Sequence, residues 1–266
     1  MTTHWARYIQ HWELLRPPLR PHAEVIDRIR SLVGAGEARC LLLGSTPEYA
    51  ALDVQIIAVD VTFGFLAALW KNGKPARLAI QSDWARMPIK TGMLSHVLGD
   101  GSLNAVSTSV LPSVLDEVTR VLRPDGVLIA RVFCRPEAAE HAEDIRRDVA
   151  LGRVDSFHAL KWRIAMSALP DPSCSDIAVT LIRDAMVTQF PDREALCRMT
   201  AWQRAEIDTI DVYDRSTAVY NFPTEPMILA TLRRWFQDVE AVPTGSYPLA
   251  ERCPLIIART PRRATQ

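Results

Sequence analysis

Four short motifs stand where apolar runs end, and their residue types suit a nucleoside more than a nucleotide. GSTPE, Gly44 to Glu48, follows the run Cys40 to Leu43, and Asp60 closes a second run, IIAVD. QSDW, Gln81 to Trp84, follows a third, and LGDG, Leu98 to Gly101, a fourth. A strand that breaks at a glycine into a helix start, followed by a strand ending in a carboxylate, is how α/β folds hold the nucleoside of a cofactor. Gly44 lets the backbone pass close to a ligand, Ser45 follows it, Thr46 can cap a helix, and Pro47 suits the first helical position. A pyrophosphate would need G-x-G-x-x-G and bare amides at that turn. Only the first glycine is present, and Glu48 adds negative charge where positive charge is wanted, so a nucleoside with an uncharged or cationic tail such as a sulfonium fits better.

The other carboxylates extend that reading. Asp60 can accept hydrogen bonds from both ribose hydroxyls, or it can simply cap the helix that follows. Asp83 can take an adenine amino group with Trp84 against the ring, although SDW also reads as a solvated turn. Gly99, Asp100 and Gly101 form an acidic, flexible loop at a strand's carboxyl end, expected to face the reacting end of the cofactor. No base stands out: His4, His11, His22, His96, His141 and His158 fall in no acid/base or metal pattern.

The elements that must position these residues alternate. Trp5, Tyr8, Ile9 and Trp12 recur at helical steps, predicting an amphipathic helix over residues 4–15 that ends before Pro17 and Pro18. A second helix carries Val25 to Val33 and stops at Gly34 and Gly36. Strand-like runs at 40–43, 56–59, 77–80, 95–98 and 127–132 alternate with helices and predict a parallel sheet with crossover helices. The Pro124-Asp125-Gly126 turn before the fifth strand reads as structural. Residues from Glu137 to about Tyr213 predict an all-helical insertion around the turn at Asp171 to Asp176. A helix then runs to Trp235, and 239–242 and 255–258 give two closing strands.

Composition sets the outer bounds. The 266 residues, 48% hydrophobic, suffice for one large α/β domain. Lys plus Arg equals Asp plus Glu at 31 each, and no long basic run gives an electrostatic footprint for nucleic acid. No apolar run approaches a membrane span, and the N-terminus lacks the apolar region of a signal peptide. Five scattered cysteines without C-x-x-C or zinc spacing suit a reducing, cytoplasmic compartment, with Cys40 and Cys134 read as small buried hydrophobes.

In order and spacing, GSTPE, AVD, SDW, GDGS and LRPDG resemble the class I S-adenosylmethionine-dependent methyltransferases over residues 38–133. The resemblance implies a Rossmann-like, mostly parallel seven-stranded sheet with an antiparallel last strand, to which this chain adds N-terminal helices and a helical insertion. It divides the chain into an N-terminal cap (1–36), a cofactor-binding core (37–136), an insertion serving as substrate lid (137–222) and a closing segment (223–266). It implies S-adenosyl-L-methionine as cofactor, S-adenosyl-L-homocysteine as product, and in-line methyl transfer to a small-molecule acceptor by a monomer or homodimer. Cofactor contacts are then expected from Gly44, Ser45, Thr46, Glu48, Asp60, Val61, Asp83, Trp84, Gly99, Asp100 and Gly101. Trp5, Tyr8 and Trp12 can cover the cofactor as a lid, with Arg20 reaching its carboxylate, or these aromatics can simply pack their helix onto the sheet. The PPLRP turn and the YPLAERCPLI ending are similar to those of a bacterial subset of such enzymes. Two other classes remain open: a cofactor-binding regulator without chemistry, and a nicotinamide oxidoreductase, against which the missing glycines and Glu48 weigh.

Overall fold

A computed structural model describes residues 4–34, 38–70, 77–171 and 173–262; Gly36 and Pro172 lie outside them. The five apolar runs form strands β1 (Arg39–Leu43), β2 (Gln55–Asp60), β3 (Arg77–Gln81), β4 (Leu94–Asp100) and β5 (Leu122–Arg131). Two short strands, β6 (Asp176–Ala178) and β7 (Val219–Asn221), precede the closing pair β8 (Phe236–Val242) and β9 (Leu255–Pro261). The main sheet has seven strands in the order β3-β2-β1-β4-β5-β9-β8. Strands β1 to β5 pair in parallel, whereas β9 runs antiparallel to both β5 and β8. The Pro-Asp-Gly turn is absorbed into the start of β5 as a register shift against β4, between the pairs Leu94–Leu122 and His96–Val127.

A parallel sheet must be covered on both faces, so its central strands are apolar in both directions. Along β1, Cys40 and Leu42 join one core cluster while Leu41 and Leu43 join the other, which is the period of two expected of a strand. Helices α1 (His4–Tyr8), α2 (Ala23–Val33) and α3 (Phe63–Leu69) pack on the first face. Helices α4 (Leu111–Val121) and α10 (Glu225–Leu232) cover the second, through Leu111, Val114, Leu115, Val118, Ile228 and Leu232. The amphipathic pattern of residues 4–15 is realised in two pieces, α1 and a tighter 3-10 turn over Ile9–Leu14.

The insertion holds α5 (Ala142–Ala150), α6 (Phe157–Ser167), α7 (Val179–Gln189), α8 (Arg193–Thr200) and α9 (Arg204–Asp208). It is not all-helical: β6 pairs antiparallel with β7, matching Ile177 to Tyr220. Strands of three residues carry too little alternation to be seen in the sequence. The insertion shares one apolar core with the sheet and the N-terminal helices, since Phe157, Leu160, Trp162, Ile177, Tyr213 and Tyr220 cluster with Tyr8, Leu42 and Phe133. Helix α6 is buried on every side, with each residue from Phe157 to Met166 inside. Among the described residues no helix is long and apolar enough to cross a membrane.

Candidate functional site

The motifs converge on a cavity of about 300 Å³ at the carboxyl ends of the parallel strands, the place where open α/β sheets bind ligands. Gly44 to Thr46 follow β1, Asp60 and Val61 end β2, Ser82 to Trp84 follow β3, and Asp100 with Gly101 ends β4. Trp5, Tyr8 and Trp12 line it from the N-terminal segment, and Trp162, Tyr220 and Phe222 from the insertion.

Local chemistry explains each placement. Gly44 has φ +105, and its N–H donates to Val59 O at 2.8 Å, so the chain turns there in a conformation that L side chains avoid. Pro47 opens a short 3-10 helix as expected, but Thr46 makes no side-chain cap. Asp60 Oδ1 accepts the Thr62 N–H at 2.7 Å, so the carboxylate supports the start of α3 while standing on the cavity wall. Burial raises its pKa, and the hydrogen bonds of Thr62 oppose that rise. Trp84 is pinned by its indole N–H, which donates to Val59 O at 2.6 Å. Asp83 Oδ1 accepts from Ala85 N at 2.9 Å, which shapes the turn that carries the indole. Gly101 is held at φ +64, and a Cβ there would come within 2.5 Å of Phe133 Cε2.

Four expected contacts have partners within the protein. Both oxygens of Asp100 accept from the Arg131 guanidinium, at 2.5 and 3.0 Å, in a buried pair. Burial alone would lower the pKa of Arg131, but the Asp100 carboxylate outweighs it and holds the guanidinium protonated. Asp100 therefore anchors β4 to β5 and leaves its own carboxylate engaged. Arg20 donates to Glu48 Oε1 from Nε at 2.6 Å and lies 5.4 Å from the centre of the Trp12 ring. Neither Arg20 nor Glu48 is on the wall, and the pair cancels the charge that the sequence assigns to Glu48. Gly99 sits behind the wall, where its carbonyl accepts from Tyr49 OH at 3.1 Å.

The case against a pyrophosphate survives on other ground. The described lining has three carboxylates, Asp60, Asp83 and Asp100, and no lysine or arginine. Ser45 Oγ, Trp12 Nε1 and Trp162 Nε1 are buried on wall residues without a partner among the described residues. A buried donor left unpaired costs about 1–3 kcal/mol. A nucleoside with a cationic tail suits a wall that carries carboxylates and no cation. Sequence reasoning missed Phe133, Trp162, Tyr220 and Phe222, which come from the end of β5 and the insertion and carry no local motif.

The model of the family described as methyltransferase domain matches residues 33–130, from the end of α2 into β5. Residues 33–130 are thus similar to a methyltransferase domain. The solved structures similar to this chain include the 1,6-didemethyltoxoflavin-N1-methyltransferase of Burkholderia thailandensis, which holds 1,6-didemethyltoxoflavin and S-adenosylhomocysteine. It is 15% identical, with a TM-score of 0.50, over 90% of this chain and 77% of that one. A SAM-dependent methyltransferase of Thermotoga maritima is 12% identical with a TM-score of 0.53, over 97% and 98% of the two chains. A Rhodobacter sphaeroides protein provisionally described as a zinc-dependent alcohol dehydrogenase is 14% identical with a TM-score of 0.60, over 99% and 100%. At such identities these likenesses show the fold. No group of three or more potential metal ligands occurs among the described residues. No curated protein sequence matches the chain.

Proposed function

We propose that the protein transfers the methyl group of S-adenosylmethionine to a small-molecule acceptor. The observation that carries this reading is one cavity that joins Gly44, Asp60, Asp83 and Trp84 on a wall without cationic side chains. Asp60 accepts from the ribose hydroxyls, Trp84 lies against the adenine with Asp83 at its amino group, and Gly44 to Thr46 shape the backbone round the amino-acid tail. When bound, the cofactor supplies an electrophilic methyl on a sulfonium and leaves as S-adenosylhomocysteine. Trp5, Tyr8 and Trp12 close the site from above and exclude water, and the aromatic residues of the insertion enclose the acceptor. Holding both reactants in one dry, oriented site is the main source of rate.

Supporting features extend to the setting. Balanced charge argues against nucleic acid as acceptor, and five free cysteines suit the cytoplasm. The chain acts as a monomer or homodimer, with residues 137–222 as the substrate lid. Calorimetry with S-adenosylmethionine, S-adenosylhomocysteine and NAD tests the core of this reading. Heat with both sulfur nucleosides and none with NAD is expected, and silence with both would refute it. Formation of S-adenosylhomocysteine in a metabolite pool separates an enzyme from a binding protein.

A further inference from the structure

Lys161 is an anomaly of both sequence and structure. The chain has four lysines against twenty-seven arginines, and one of the four lies at the centre of α6 with no exposed surface. Its Nζ donates to Tyr8 Oη at 2.9 Å and lies 5.1 and 5.4 Å from the ring centres of Trp162 and Tyr213. No carboxylate comes within ion-pair distance of it among the described residues. A buried ammonium without a counter-ion is costly, and an arginine in its place could never lose its charge. A lysine is tolerable there because it can become neutral.

Tyr8 links this amine to the cavity, since Tyr8 belongs to the wall and its hydroxyl meets Lys161. We propose that Tyr8 and Lys161 form a proton relay that serves as the base for methyl transfer to an acceptor bearing an acidic O–H or ring N–H. The inference rests on the methyltransferase reading above. The acceptor's proton passes to Tyr8 Oη as the tyrosine's own proton passes to the neutral Nζ. The acceptor's O or N forms its bond to methyl as the bond between methyl and the sulfonium sulfur breaks. The products are methylated acceptor, neutral thioether and the Lys161 ammonium, so one positive charge stands on each side. The acceptor is flat and apolar apart from that group, because Phe133, Trp162, Tyr220 and Phe222 line the same part of the cavity.

The groups around the amine support this role. Burial lowers Lys161 to about 7, with the more distant Glu206 of α9 opposing the fall. A base matched to neutral pH is the most effective kind. From α1, His4 holds Tyr220 OH at 2.7 Å and Ser216 Oγ at 3.1 Å, and burial lowers it to about 3. His158, in the turn of α6 before Lys161, is held well below its usual range by burial, and its Nε2 is 4.0 Å from Glu206 Oε1. Tyr213 and Tyr220 are pushed well above the usual phenol range by burial. None of these competes for a proton at neutral pH.

With ε-13C lysine in the full chain, four resonances are expected, and the one lost in Lys161→Met should titrate near pH 7. A Lys161 that stays charged through pH 9 overturns the proposal. Against a panel of phenols and N–H heteroaromatics, S-adenosylhomocysteine formation should rise with pH to a plateau through about 7. Lys161→Met and Tyr8→Phe should lose that limb and fall about 10²- to 10⁴-fold, whereas Lys161→Met should keep its calorimetric affinity for S-adenosylhomocysteine. Added methylamine should restore part of the rate of Lys161→Ala. A Lys161→Met variant with the wild-type pH profile overturns the relay. If no panel member is methylated, the lysine titration decides the relay, and loss of the methyltransferase reading shows separately as absent S-adenosylhomocysteine binding.

Discussion

Lys161 makes stability depend on pH in a window where little else titrates. Its folded pKa of about 7 lies below the 10.5 of an unfolded lysine. Between these values the unfolded chain binds the proton and the folded one does not, so stability rises with pH. Below about 7 both states are charged and the full cost of the buried ammonium is felt. From pH 7 to pH 8.5 this one residue should add about 1.5 kcal/mol, at 1.36 kcal/mol per unit of pKa. Lys161→Met removes the proton from the balance while keeping a flexible apolar stem among Tyr8, Trp162 and Tyr213. Urea unfolding of both proteins at intervals from pH 6 to pH 8.5 measures the effect. The difference between them should shrink as pH rises, by about 2 kcal/mol over the whole range, with the variant relatively favoured at pH 6. The buried thiols of Cys40, Cys134 and Cys253 begin to matter only near the upper end, and they cancel in the comparison because both proteins carry them. A constant difference across the range would show that Lys161 keeps its charge in the folded protein, and the argument from burial would fail.

Other perturbations test separate parts of the site. Asp60→Ala should weaken S-adenosylhomocysteine binding by roughly 10- to 100-fold in calorimetry, from the loss of hydrogen bonds to a charged acceptor worth about 1.5–3 kcal/mol; unchanged affinity would remove the ribose assignment. Arg131→Met strands the Asp100 carboxylate in the core and should cost about 3–5 kcal/mol in urea unfolding, and a loss below 1 kcal/mol would mean that solvent reaches the pair. His4, neutral when folded down to about pH 3, should make stability fall as pH drops from 6.5, because the unfolded chain takes up a proton that the folded one refuses. His4→Gln should flatten that acid limb, and an unchanged limb would assign it to other groups.

What could be read from the residues alone follows the range of the interactions concerned. Strands β1 to β5 and the turns after them were legible because parallel strands are apolar on both faces and their ends carry glycines and carboxylates in a short, ordered sequence. Gly44, Asp60 and Trp84 reach one cavity because each needs only its own strand end for placement. Glu48 misled for the opposite reason: its charge is cancelled by Arg20, twenty-eight residues earlier, and no local pattern announces that pairing. Asp100 likewise reads as a free acid until β5 brings Arg131 beside it.

The insertion was the least legible part, and the reason lies in α6. A helix buried on every side loses the polar face that gives an amphipathic pattern, so Phe157 to Met166 show a helix without showing which residues matter. Within it the charged residues solve burial differently. Arg163 meets Glu140 and Asp148, satisfying a charge that it cannot shed, whereas Lys161 meets a phenol and two aromatic rings. The two positions are two residues apart on one helix, yet only the titratable side chain lacks a carboxylate. In a chain that otherwise uses arginine for nearly every cation, that choice separates a cation kept for structure from an amine kept for proton transfer.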